Sequence, residues 1–238
     1  MKKINFELHT EIYTPKDIAK VLSLAVNEKN FIGNNKGEKF LNVPTSFDIE
    51  TTSFYSDENG ETYSYERYMK LGGKQTKMEK RSLMYVWQFG INGYCIIGRT
   101  WDDFLQMLSD IEKILGLCLK KRIIIYVHNL AYEFQFFREL LEWENIFSID
   151  LRKPIYGVTK TGLEFRCSYL LSGYSLEKLG GQLQKYKCNK LVGDLDYSLI
   201  RHSKTPLTQK EIGYCLNDVK VVMCYIQELL ERYKGITR

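Results

Sequence analysis

The chain has 238 residues, of which 44% are apolar and 26% charged, and a net charge of +5. That is enough for one globular domain with a sizeable core, with or without insertions. No stretch approaches the ~18 consecutive apolar residues of a membrane-spanning helix. The N-terminus, MKKINFELHTEIY, has no apolar run of signal-peptide length, so the protein is expected to stay in the cytoplasm. Six cysteines (95, 118, 167, 188, 215 and 224) are scattered without a C-x-x-C pair, and His9, His128 and His202 lie far apart. Zinc is therefore not indicated, the thiols should be reduced, and any catalytic metal must take oxygen ligands.

In chain order, Thr14-Pro15 with Asp17 starts a helix over roughly 15–28. PTSFDIE (44–50) reads as a strand ending in acids, and the polar, Gly-containing stretch 51–82 as a long insertion. LMYVWQFGINGYCIIGR gives two strands around Asn92-Gly93, a hairpin signal. Trp101, Phe104, Leu105, Leu108, Ile111 and Leu115 recur at helical spacing. RIIIYVHN is a β-branched run suited to a strand covered on both faces. A helix over 131–145 follows, then strands at 146–151 and 154–158, a turn at 160–162, and a strand ending near Tyr169. Ser175 caps a helix to about Lys185, and Thr208 starts a long one to about Tyr233. The order predicts a mixed α/β sheet flanked by helices, a layout that the RNase H-like fold shares with several others.

Three acidic clusters stand at informative places. Asp48 and Glu50, two apart on a strand, share a face. Glu133 lies about one turn into the helix after the buried strand, and ligand sites gather at the carboxyl ends of such strands. Tyr214 and Asp218, four apart, share a helical face. Each alone has an ordinary explanation: a solvated strand end, a first-turn acid, a surface Asp. Together the four carboxylates form an oxygen-rich set of the kind that hard divalent ions prefer, and two such ions catalyse phosphodiester hydrolysis. Separately, Arg67, Lys70, Lys74, Lys77, Lys80 and Arg81 lie just after or among Tyr55, Tyr63, Tyr65 and Tyr68. That mixture suits single-stranded nucleic acid, and it equally suits a mobile solvated loop.

FDIETT, HNLAYEFQFF and YCLND resemble, in order and separation, the three motifs of DEDD-type 3′–5′ exonucleases of the tyrosine subclass. YSLEKLG, KLVGDLDY and PLTQKEIGYCLNDV narrow the resemblance to the proofreading domain of phage-type, protein-primed family B DNA polymerases. It runs from about Phe47 to Leu230, interrupted by 51–82, and residues 1–40 form an extension outside it. The resemblance implies an RNase H-like exonuclease domain over 41–238 using two Mg²⁺ or Mn²⁺ ions. Asp48 would bridge them, Glu50 and Asp218 would complete the first site, and Glu133 would serve the second. Tyr214 would orient the attacking water. Thr51, Asn129, Tyr132, Ser175 and Leu176 would hold the 3′-terminal nucleotide, with Tyr197 a strand contact and His128 a structural hydrogen-bonding residue. The implied partners are a single-stranded DNA 3′ end, a polymerase region of the same full-length protein, and a terminal protein primer.

Two departures stand out. Glu133 occupies a position where the family has Asp, and Val192 stands where the family has a catalytic lysine, leaving Lys190 as a replacement two residues upstream. The competing readings are an RNase of the same superfamily and a catalytically silent domain that binds single strands or docks a partner.

Overall fold

The computed structural model describes residues 5–191, 195–196 and 199–235. From the amino end come β1 (Ile12–Tyr13), α1 (Ile18–Ala25), β2 (Phe31–Gly33), β3 (Lys39–Leu41) and β4 (Thr45–Ser56). Next are β5 (Thr62–Tyr63), α2 (Tyr65–Lys70), β6 (Glu79–Ile91), β7 (Tyr94–Gly98) and α3 (Trp101–Leu115). The second half holds β8 (Lys121–Val127), α4 (Leu130–Phe137), β9 (Trp143–Asp150), β10 (Lys153–Thr159) and β11 (Leu163–Cys167). It closes with α5 (Ser168–Ser172), α6 (Leu176–Gln182) and α7 (Gln209–Arg232).

The strands form a mixed sheet in the order β1-β7-β6-β4-β8-β11-β10-β9. At its centre β4 runs antiparallel to β6 and parallel to β8, with Phe47 opposite Val127. Alternation along these strands sorts their side chains to two faces. Phe47, Ile49, Ile123, Ile125 and Val127 join Val21 and Leu22 of α1, Phe104 and Leu108 of α3, and Leu130 and Phe134 of α4 in one core. Each fully buried side chain of this kind contributes about 1.5–3 kcal/mol relative to exposure. On the opposite face Ile124 and Tyr126 meet Leu179 of α6 and Val221, Val222 and Ile226 of α7. Helix α7 crosses β6 so closely that a Cβ on Gly90 would lie 2.7 Å from the Met223 sulfur.

Local chemistry explains the ends of these elements. Asn92 (φ 47°) and Gly93 (φ 90°) give the β6–β7 hairpin its two left-handed turn residues. Thr208 and Glu211 form a reciprocal capping box that starts α7. Thr100 caps α3, which stops at left-handed Gly116.

Several boundaries differ from the sequence expectation. The helix expected over 15–28 is a 3₁₀ turn at Pro15–Asp17 followed by the shorter α1, whose Val21, Leu22 and Ala25 belong to the main core. The acids do not end a strand: β4 passes through them to Ser56, and the stretch 51–82 takes the form of an antiparallel arm of β4 and β6, with the short β5 paired to the end of β4 and α2 after it. Its polarity suggested a loop, yet Thr52, Phe54 and Ser56 alternate as buried residues along a strand. The helix expected to reach 145 stops at Phe137, because Trp143 is drawn into β9. There its ring packs against Phe134 and Phe165, and a Cβ on Gly157 would meet it at 2.7 Å. Helix α6 is likewise shorter than expected, and β11 ends at Cys167, ahead of α5.

Candidate active site

Asp48 and Glu50 point from β4 to the α7 side of the sheet, since their neighbours Phe47 and Ile49 fill the opposite core. Asp218, one turn after Tyr214 on α7, comes down onto them. One carboxylate oxygen from each of Asp48, Glu50 and Asp218 lies within 4.8 Å of the others. The fourth acid arrives from the end of β8. There Asn129, left-handed at φ 70°, turns the strand into α4, and Glu133 is buried in that helix's first turn.

Electrostatics make this grouping unusual. Burial, then the charges of Asp218, Glu50 and Glu133, hold the Asp48 carboxyl well above its ordinary range, with Lys190 opposing. Burial, opposed by a backbone hydrogen bond and reinforced by Glu50, pushes Glu133 up to about 8. Burial also raises Asp218, against the pull of Lys190. Glu133 Oε2 and Asp218 Oδ1 are buried without a hydrogen-bond donor among the described residues. A buried acid without compensation is costly, and a divalent cation among these oxygens would remove both the repulsion and the missing partners. The donor set, all carboxylate, fits such an ion.

Lys190 Nζ donates to Asp218 Oδ2 at 3.0 Å and lies 6.0 Å from the centre of the Tyr214 ring. Burial disfavours its charge, but Asp218 and, further off, Asp48 outweigh that and raise its pKa. Asn217, beside Asp218 in the third cluster, was given no role from sequence, yet it holds the lysine's segment. Its Oδ1 accepts from Leu191 N at 2.7 Å, and its Nδ2 donates to Asn189 O at 3.1 Å. Gly180 of α6 leaves room for that segment, because a Cβ there would sit 2.9 Å from Cys188 O and 3.1 Å from Lys190 N.

The remaining candidates divide. Thr51 Oγ1 and Tyr132 OH share a hydrogen bond of 2.5 Å beside an open pocket lined by Ile49, Glu50, Thr51, Ser53 and Tyr132. Asn129, three residues before Tyr132, is exposed. Ser175 is exposed and caps α6, while Leu176 packs into the core with Ile124 and Val222. His128 bonds to Ser168 at 3.1 Å, and burial, with Lys190 nearby, lowers its pKa to about 4. Val192 and Tyr197 lie outside the described residues. Sequence reasoning also missed Arg201, buried between Glu211 (2.8 Å) and the Tyr85 ring, whose backbone N–H donates to Thr52 Oγ1 at 3.1 Å. A lone Arg in a polar stretch carries no signal of burial.

No family model and no curated protein sequence matches the chain. Solved structures do. The chain superposes on phi29 DNA polymerase complexed with primer-template DNA and incoming nucleotide, with TM-score 0.55 and 16% identity, over 81% of this chain and 32% of that one. The same polymerase complexed with single-stranded DNA gives TM-score 0.54, 16% identity, and 82% and 32% coverage. A weaker superposition, TM-score 0.47 at 10% identity, reaches the catalytic core of RRP6 from Trypanosoma brucei over 98% of this chain and 51% of that one. The chain thus spans about a third of the phi29 polymerase, and it has the RNase H-like fold.

Proposed function

We propose that the chain is a 3′–5′ exonuclease that removes nucleotides from the 3′ end of single-stranded DNA. The observation that carries this reading is the convergence of Asp48, Glu50 and Asp218 within 4.8 Å, with Glu133 buried alongside. Asp48, Glu50 and Asp218 would hold one Mg²⁺ or Mn²⁺ ion and Glu133 would serve a second, its longer side chain reaching about one methylene further than the family's Asp. When bound, the ions supply positive charge for the attacking and leaving oxygens of the phosphodiester. The chain's own groups do the rest. The Tyr214 hydroxyl, on the face of α7 that carries Asp218, orients the water for attack in line with the leaving 3′ oxygen. The Lys190 ammonium, held beside the carboxylates, offsets negative charge that grows on the scissile phosphate. Thr51, Asn129, Tyr132, Ser175 and Leu176 would hold the 3′-terminal nucleotide, and Tyr197 would contact the strand.

The motif order supports a narrower setting: the proofreading part of a protein-primed, phage-type polymerase, at work in the cytoplasm of a bacterial host. Its partners would be a polymerase region in the same full-length protein and a terminal protein primer. The similarity in fold to a region of phi29 polymerase is consistent with this. The test is digestion of end-labelled single strands. Stepwise shortening of DNA from the 3′ end, dependent on Mg²⁺ or Mn²⁺ and stopped by EDTA, is expected. Cleavage of RNA alone would move the protein to the RNases of this superfamily. Binding without cleavage under any metal would make it a silent strand-binding domain.

A further inference from the structure

The arm formed by β4 and β6 has a polar row that continues the face of Phe47 and Ile49, opposite to the face carrying Asp48 and Glu50, and that row reaches a pocket which Glu50 also lines. The ladder between the strands has one irregularity, where Glu50 faces Val86 and Thr51 faces Met84, so the extra residue, Tyr85, lies on β6. Beyond it the strands keep step: Ser53 opposite Ser82, and Tyr55 opposite Lys80. Side chains two apart share a face, so Thr51, Ser53 and Tyr55 form a row beside Ser82 and Lys80. The hydrogen bond between Ser53 Oγ and Ser82 Oγ at 3.0 Å shows the two rows meeting on that face. The near end of the row is the pocket of Glu50, Thr51, Ser53 and Tyr132.

The far end, about 17 Å from Glu50 at ~3.3 Å per residue, is aromatic and basic. Tyr55 stacks on Tyr68 of α2, with ring centres 3.7 Å apart and planes within 6°. Tyr65 stands 6.2 Å from Tyr55 and 6.4 Å from Tyr68, with 60% of its surface exposed. Exposed Lys74, Lys77 and Lys80 have no carboxylate partner among the described residues, whereas Lys70 pairs with Glu66 and Arg81 with Glu79.

We propose that this face of the arm is the path of a single-stranded polynucleotide leading away from the cutting site. Hydroxyls line its middle, the lysines engage phosphates at its far end, and Tyr65 offers a ring for base stacking. The partner follows from chemistry: unpaired cations beside an exposed aromatic ring match a flexible polyanion with planar bases. The row ends at the pocket that Thr51, Ser53 and Tyr132 share with Glu50, and in joining that pocket to a cutting site the proposal rests on the nuclease reading above.

The experiment measures two things in parallel. Fluorescence anisotropy with a labelled oligothymidylate, in EDTA, reads affinity and its salt dependence without turnover. Hydrolysis of a thymidine dinucleotide, which is too short to reach the arm, reads the cutting site alone. Lys77→Glu combined with Lys80→Glu should weaken the long strand by about tenfold or more and lower the salt slope by about 1.4, two phosphates at ~0.7 each. Dinucleotide hydrolysis should be unchanged. Tyr65→Ala should weaken the strand by several-fold and leave the slope alone. Unchanged affinity and slope in the lysine variant would overturn the path, as would an equal loss on the dinucleotide. If the unaltered protein binds the strand in this way and cuts neither substrate, the nuclease reading fails and the path stands.

Discussion

Two clusters of buried charge lie in the same sheet and are built in opposite ways. Where β3, β8 and β11 meet, Arg122 pairs with Glu38 at 2.9 Å and Glu164 at 3.3 Å, and Arg166 pairs with Glu164 at 2.6 Å. Every buried carboxylate there faces a guanidinium, which matches it in shape as well as charge. At the centre, Asp48, Glu50, Glu133 and Asp218 crowd together, and the opposing charge among the described residues comes from Lys190. The first cluster balances inside the chain. The second is not balanced among the described residues, and its acids could hold a cation, which is what the proposed function asks of it.

The largest effects should come from removing a central acid. Asp48→Ala or Asp218→Ala should lower hydrolysis of single-stranded DNA by roughly 10³-fold or more, because the charge stabilising the transition state depends on the full ligand set. Single-turnover rates on a labelled strand decide it, and full activity in either variant would dissolve the contrast between the clusters.

Stability should respond in the reverse sense. Glu164→Gln removes the carboxylate that Arg122 and Arg166 share, while Arg122 keeps Glu38, and should cost about 1–3 kcal/mol in urea unfolding. Asp48→Asn removes a repulsive charge and should stabilise the metal-free protein. A loss of stability from Asp48→Asn would mean that the central acids are balanced after all.

Much of this contrast was legible in the sequence, and part was not. The four central acids could be read because they sit inside local patterns: an alternating strand, a strand-to-helix turn, and one helical face. Their meeting is a consequence of register, since Phe47 opposite Val127 brings the end of β8 alongside Asp48. The Arg122–Glu164–Arg166 network left no trace, because pairing between β8 and β11 is set over some forty residues of intervening chain. The stretch 51–82 reads as an insertion, but its strands are not legible, because polar residues on a strand outside the main core resemble a loop until their partner strand is known. Asn217 was seen as part of a motif, but its contacts lie in a segment with no regular structure.

The central acids also set a pH dependence. Glu133 has a folded pKa raised from 4.5 to about 8, chiefly by burial. Between those values the folded state binds more protons than the unfolded one, so stability is highest at the acid end and falls as pH rises through this window. In EDTA the urea midpoint should therefore drop between about pH 5 and 8, and Glu133→Gln should flatten the profile. Added Mg²⁺ should also flatten it, by favouring the ionised carboxylates. A flat profile in the metal-free protein would place Glu133 with the balanced cluster.

The smallest effect tests how Lys190 at the centre is used. Lys190 contacts Asp218 in the free protein, so it could act only as a structural counter-ion, much as Arg122 and Arg166 do between β8 and β11. If instead it meets the phosphate as charge builds there, the interaction strengthens in the transition state and belongs in the rate. Lys190→Ala should then reduce single-turnover hydrolysis by up to about a hundredfold with little change in strand affinity, and Val192→Lys should restore part of the loss in that background. Asn217→Ala should act in the same direction but more weakly. It removes hydrogen bonds worth about 0.5–1.5 kcal/mol each that hold Leu191 and Asn189, and it leaves the lysine in place. Combined with Lys190→Ala it should add almost nothing, since a positioning residue has no effect once the group it positions is gone. Full additivity of the two would separate Asn217 from Lys190. An unaltered rate for Lys190→Ala would make the lysine a counter-ion and bring the two clusters closer in kind.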